Sequence, residues 1–313
     1  MKKILVTLAA LTASLSTNAQ NIKFTSHELY PEGTAYNKKD KSFYVTSLRY
    51  GKVGKVAADG KYSVFVDDKD IISAIGTLID EKTNTLYVAI SDPGVSVKTN
   101  PNTQYKLAKV AAYDLTTGKR KYLADLGALN ADGNNFANDL TLDDQGNVYV
   151  TNSFAPIIYK IDSKGLPTIF ARHTDWEGAG FNLNGIRYHK DGFLLVAQMD
   201  KGLLYKVDVK HPDKISVVKA DSIKGADGLV LNEKGDGLVV ISNSQKKIFK
   251  LSSSDNWKSA KVEKSVESVD TYPTTGVLVD GKYYVLNAKL NELFMQSPAV
   301  QLSEDFLIQE VKF

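Results

Sequence analysis

The 313-residue chain contains no cysteine. Disulfides and thiolate metal sites are therefore excluded, and stability must come from a packed core. Histidine is scarce, with only His27, His173, His189 and His211. Beyond the first twenty positions no apolar run approaches the ~20 residues a membrane span needs. Neither sign of charge dominates: without Lys2 and Lys3 the chain carries 37 basic against 36 acidic side chains, interspersed. That balance argues against a nucleic-acid or anionic-membrane footprint. A GxSxG nucleophile elbow, a phosphate-binding P-loop, an HExxH pair and a dinucleotide fingerprint are all missing. Helical periodicity is almost absent.

What is present begins with MKKILVTLAALTASLSTNAQ, two lysines, an apolar run and small residues ending at Ala19. This pattern predicts a signal peptide over residues 1–19 and a periplasmic or secreted mature chain. With no cysteine after the apolar run, a lipid anchor is not expected. Residues 20–313 contain no Pro/Ser-rich linker or low-complexity tract, and they are expected to form one domain.

The same module recurs six times: a turn with a small residue, a short apolar strand, a polar turn, and an aromatic or β-branched strand. The copies read PEGTAYNKKDKSFYVTS, AIGTLIDEKTNTLYVAIS, ANDLTLDDQGNVYVTNS, LNGIRYHKDGFLLVAQM, ADGLVLNEKGDGLVVIS and TTGVLVDGKYYVLNA. The residue before the glycine, or its equivalent, marks each copy: Glu32, Ile75, Asn138, Asn184, Asp227 and Thr275, at intervals of 43, 63, 46, 43 and 48. The long interval holds a loop-rich insertion around residues 92–105. A further pair of β-like runs follows each hairpin. Four strands per repeat at this period predict an all-β, six-bladed β-propeller. The last copy has room for little beyond one strand, DFLIQEVKF, while NIKFTS at the N-terminus has no repeat of its own. Pairing them would complete the sixth blade, close the ring and remove an exposed edge.

In a propeller the first strand of each blade lines the central channel, so the markers converge. Four of the six, Glu32, Asn138, Asn184 and Asp227, offer oxygen. Two carboxylates and two amide carbonyls make a hard-oxygen set suited to Ca²⁺, and the lack of imidazole or thiolate argues against zinc or copper. Asn or Asp before Gly is also ordinary turn chemistry. Glu32 escapes that reading, because Glu is not a turn former. Ile75 and Thr275 would be the non-ligating slots.

The motifs PEGTAY, FANDLTL, NLNGIRY and GADGLVL, in that order at blade spacing, resemble the SMP-30/gluconolactonase family of six-bladed propellers. Relatives of that family include paraoxonases and diisopropyl-fluorophosphatases. The resemblance covers essentially the whole mature chain. It implies that Glu32, Asn184 and Asp227 are metal ligands, that Asn138 binds metal or substrate, and that Asp227 is the catalytic base or nucleophile. Ca²⁺ is the expected cofactor, with Mg²⁺, Mn²⁺ or Zn²⁺ not distinguished. The chain departs from the family opening, EGP with Trp two residues later, in having Thr34 and Tyr36. No histidine falls at a marker position.

The loops after each second strand return to the face of the markers. They nominate Arg49, Tyr50, Asn152, Phe154 and Met199 as substrate-binding residues, with Asp92, Gln198, Asn243 and Asn287 also near. Phe136 and Phe181 precede marker positions, where blade packing and substrate contact are equally expected. The reading is an exported, metal-dependent hydrolase of a small-molecule lactone or related cyclic ester, monomeric or weakly oligomeric. The alternative is a non-catalytic propeller binding a sugar, peptide or protein at the same mouth.

Overall fold

The computed structural model describes residues 20–295 and 301–313, so the leader reading for 1–19 lies outside the described residues. Six antiparallel four-stranded sheets follow one another as blades of a ring. The inner strands are Thr34–Asn37, Ser73–Asp80, Ala137–Leu142, Leu183–His189, Ala226–Leu231 and Pro273–Val279, in blades 1 to 6. Each is the first strand of its repeat, and together they surround the channel.

The ring closes as the two unmatched ends of the sequence require. The sixth sheet is ordered so that the N-terminal strand Ile22–Thr25 lies outside the C-terminal strand Asp305–Val311. Their register pairs Ile22 with Ile308 and Phe24 with Phe306. Phe24 and Phe306 are both buried, with ring centroids 5.8 Å apart. Alternating burial of Ile22 and Phe24 against exposed Lys23 and Thr25 fixes the face. The first and last strands of the described residues are thereby tied into one hydrogen-bonded sheet.

The glycines after the markers have a role other than turn formation. None of Gly33, Gly76, Gly185 or Gly228 adopts a positive φ. Instead each lies against the backbone of the next blade. A Cβ would collide with the carbonyl oxygen of Ile75 at Gly33, of Asn138 at Gly76, and of Asp227 at Gly185. At Gly228 it would meet the Thr274 carbonyl at 2.6 Å. Neighbouring inner strands thus approach at the marker level more closely than any side chain allows. The ring is completed there by Thr274 and Thr275, whose hydroxyls donate to the Glu32 carbonyl at 2.7 and 3.0 Å.

Two features of the rim stand out, the expected loop-rich insertion and an unexpected helix. The insertion after Ser91 forms turns held by buried Asp92, whose carboxylate accepts from Thr99 and Thr103 at 2.6 Å each. The sixth copy holds more than one strand after Asn287: a short helix, α1 (Leu290–Met295), precedes the last strand.

Candidate functional site

In blades 2 to 6 the ladder between the first and second strands slips at the marker. In blade 3 the pairs run Ala137 to Asn152, then Leu140 to Val150, leaving Asn138 and Asp139 opposite Thr151 alone. The same irregularity spans Asn184-Gly185 in blade 4 and Asp227-Gly228 in blade 5. A bulge re-aims the side chain it carries, and here it turns the marker out of the pleat toward the axis. The backbone groups it frees need partners. Thr151 supplies them in blade 3, accepting from Asp139 N at 3.2 Å and donating to the Asn184 carbonyl at 2.7 Å. Thr46 does the same in blade 1, between Gly33 N and the Ile75 carbonyl.

Glu32, Asn138, Asn184 and Asp227 all line one cavity of about 360 Å³ at the channel mouth. All four are buried. Glu32 Oε2, Asn138 Oδ1 and Asp227 Oδ1 have no hydrogen-bond partner. The amide nitrogens point elsewhere: Asn138 Nδ2 donates to Ser153 Oγ at 2.8 Å, and Asn184 Nδ2 contacts Met199 Sδ at 3.5 Å. The second oxygen of Asp227 accepts from Asn243 Nδ2 at 2.8 Å.

Buried oxygen acceptors without donors are costly, at roughly 1–3 kcal/mol each and more for charged groups. The electrostatics register that cost. Burial, then the nearby Asp227 and Asp139, hold the Glu32 carboxyl well above the usual carboxylate range. The Asp227 carboxyl is pushed up to about 8, chiefly by burial, with the Asp139 charge adding. The hydrogen bond from Asn243 opposes that rise.

Asp139 lies in the same bulge as Asn138 but has a different fate. Its Oδ2 accepts from Arg187 Nη1 at 2.7 Å and Ile186 N at 3.3 Å, and its Oδ1 from Leu140 N at 2.8 Å. Arg187 lines a second cavity of the inner strands, with Thr34, Thr141 and Gly276. Of the three buried carboxylates that interact here, Asp139 has a cationic partner and the other two do not.

The oxygen set fits a hard divalent cation: three orphaned buried oxygens, two of them from acids, with no cationic side chain among the cavity's lining residues. Among the described residues no three His, Cys, Asp or Glu side chains are placed so that together they could hold a metal ion. A cation here would be held by two carboxylates and amide oxygens.

The nominated rim residues scatter. Met199 lines the cavity. Phe154 is not among the lining residues and lies tilted against Phe136 and Phe181 at 5.1 and 4.9 Å between centroids. Asn152 is fully buried and its groups are consumed: Oδ1 accepts from Phe136, Phe154 and Ala155 N, and Nδ2 donates to Asn135 and Tyr159. Arg49 and Tyr50 are not among the lining residues. Both turn to Glu28, Arg49 Nε at 2.7 Å and the Tyr50 hydroxyl at 3.3 Å. Of the non-ligating slots, Ile75 lines the cavity, while the Thr275 hydroxyl serves the backbone.

Sequence reasoning did not nominate Tyr272, Leu48, Leu290 or Phe294, which complete the lining. Tyr272 precedes the sixth inner strand with φ 54°, a conformation uncommon for a bulky residue. Burial, then Asp227 and Glu32, push its phenol up to about 12, so it keeps its proton. Its position just ahead of the sixth copy was the one available signal.

No protein-family profile matches the chain, and no curated protein matches it significantly in sequence. Solved structures do match across nearly its whole length. The major allergen Mala s 1 of Malassezia sympodialis superposes with a TM-score of 0.75 at 17% identity, over 94% of this chain and 96% of that one. A luciferin-regenerating enzyme gives 0.65 at 13% identity, over 94% and 96%. A gluconolactonase from Xanthomonas campestris gives 0.65 at 13% identity, over 95% and 90%. At such identities the likeness is one of fold. The chain is a six-bladed β-propeller.

Proposed function

We propose that the protein is an exported metal-dependent hydrolase that opens a lactone or related cyclic ester, with Ca²⁺ held by Glu32, Asn138, Asn184 and Asp227. The observation that carries this reading is the convergence of orphaned oxygens from three blades on one buried cavity. A pure scaffold gains nothing from two unpaired buried acids, and such groups concentrate at functional sites. The gluconolactonase among the fold neighbours is consistent with lactone chemistry on this architecture, although fold alone does not choose a function.

When bound, a hard divalent cation supplies Lewis acidity toward a carbonyl oxygen and stabilises developing negative charge. The chain's own groups supply the rest. Asp227 Oδ2, oriented by Asn243, takes a proton from a water whose oxygen adds to the acyl carbon, and the ring C–O bond breaks as that proton passes to the departing alkoxide; in direct attack the carboxylate forms an acyl-aspartate that water then hydrolyses. Tyr272, neutral and facing the same acids, is a hydrogen-bond donor at the mouth. The apolar wall excludes bulk water from these groups.

The test is metal analysis of purified protein, with lactone hydrolysis compared among wild type, Asp227→Ala and Glu32→Ala. Bound divalent metal and activity lost in both variants are expected. Wild type that neither holds metal nor turns over any lactone with added Ca²⁺ leaves the second reading, a non-catalytic binding propeller. That reading is favoured by one feature: only two acids line the site, with no histidine beside them.

A further inference from the structure

The cavity has two layers of opposite chemistry. Its floor is the oxygen set. Its wall is mostly apolar, with Leu48, Phe136, Phe181, Met199, Leu290 and Phe294 beside Asn243 and the Tyr272 phenol. The aromatic part is one connected surface. Phe136 meets Phe181 edge-on at 5.2 Å, and Phe181 meets Phe294 at 6.3 Å. Helix α1 contributes Leu290 and Phe294, and it is fixed in place. The Glu292 carboxylate accepts from the Tyr30 hydroxyl at 2.9 Å and from Ser303 N and Oγ at 3.1 and 3.0 Å. Apolar surface continues outward, where Phe294 and Met295 are 37% and 71% exposed.

Positive charge is kept off this wall. No Lys, Arg or His lines the cavity. Nearby cations are paired elsewhere, Arg49 with Glu28 at 2.7 Å and Lys289 with Asp270 at 3.4 Å. An anionic substrate would meet two carboxylates and no counter-ion. A polyhydroxylated ring fares little better. Besides the oxygen set, the polar lining is only Asn243, whose amide donates to Asp227, and the Tyr272 phenol, while Asn152 and Ser153 behind the wall are committed to protein partners. A hydroxyl buried there without a partner costs about 1–3 kcal/mol.

Resting on the hydrolase reading above, we propose that the substrate is an uncharged lactone or ester bearing an alkyl or aryl group, and not a sugar lactone or an anionic one. The acyl carbon meets the oxygen floor while the apolar group lies along Phe181 and Phe294 and leaves past α1.

The experiment compares kcat/KM of the Ca²⁺-supplemented mature protein for glucono-δ-lactone, a carboxylated lactone, and a series of alkyl lactones of increasing chain length. In parallel, calorimetry measures binding of the matching alkyl lactams, which are not hydrolysed under assay conditions. Each added methylene should raise kcat/KM about 3- to 4-fold until the wall is covered. Phe294→Ser, at a half-exposed position that should fold normally, should raise KM for the longer lactones and flatten that series. Preference for glucono-δ-lactone or the carboxylated lactone overturns the proposal and leaves the hydrolase reading standing. Lactam affinity that climbs with chain length while no lactone is hydrolysed sinks the hydrolase reading and supports the apolar specificity. Failure of both hydrolysis and lactam binding overturns the two together.

Discussion

Arg187 offers the sharpest test of how the channel is held together. Its guanidinium is the charged partner of Asp139, whose side chain is 5% exposed. Replacing Arg187 by Met keeps the apolar stem in the second cavity and removes the charge. Asp139 then retains two backbone donors, Leu140 N at 2.8 Å and Ile186 N at 3.3 Å. Removing one member of a buried ion pair typically costs 3–5 kcal/mol. The surviving donors hold the expectation near the low end, at about 3 kcal/mol. For a chain of this length each kcal/mol moves Tm by roughly 2 °C, giving a fall of about 6 °C.

The assay is urea unfolding of wild type, Arg187→Met, Asp139→Asn and the double variant, with the m-value checked for constancy. The double variant should come within about 1 kcal/mol of wild type, because the cost lies in the stranded carboxylate and not in the lost pair itself. A single-variant cost under about 1 kcal/mol would refute the argument. So would a double variant no more stable than Arg187→Met.

Glu32→Gln and Asp227→Asn should raise the stability of the metal-free protein measured in EDTA, because each removes a buried acid lacking a cation, and both should abolish stabilisation by added Ca²⁺. The pH sign follows: both carboxyls have raised folded pKa values, so metal-free stability is fullest below about pH 4 and is lost as pH rises, for Asp227 through about 8. Gly185→Ala places a Cβ against the Asp227 carbonyl and should cost about 2–3 kcal/mol by thermal melts, with Ca²⁺ affinity reduced as the neighbouring blade shifts. Burial pushes the His189 ring below its ordinary 6.5, and its Nε2 is bonded to the Gly235 carbonyl at 3.1 Å. The unfolded ring therefore takes a proton that the folded one refuses, and stability falls as pH drops below about 6.5. Comparing wild type with His189→Gln in urea at pH 7.5 and 5.5 isolates this loss, and equal slopes would remove His189 as its source.

The ring and the phase of the four donors were legible because both are periodic. A pattern repeated six times fixes which residue faces the axis without any knowledge of contacts. The glycines were legible as positions but not as causes. Turn chemistry is local, whereas Gly185 is required by a carbonyl one blade away, at Asp227. The same limit hid the partners of the rim. Arg49 and Tyr50 turn to Glu28, which precedes the first repeat, and Asn152 is spent on backbone of its own blade. Helix α1 is six residues long, too short for an apolar period to declare itself. Arg187, in NGIRY, reads as an ordinary polar position of an alternating strand until Asp139 is found beside it.

That last contact bears on the function. Three carboxylates are buried within electrostatic reach of one another at the mouth end of the inner strands. One, Asp139, has a guanidinium at 2.7 Å and two backbone donors. Asp227 has one amide donor on one oxygen, and neither it nor Glu32 has a cationic partner. A fold that places arginine in its channel has the means to neutralise an acid there. It does so on the far side of the bulge and leaves the two acids facing the open cavity uncompensated. Selection for stability alone would pair or remove them, since each weakens the folded state. Their presence beside the orphaned Asn138 oxygen supports the proposal of a site for an external cation. The apolar wall would then limit what approaches a cation held there.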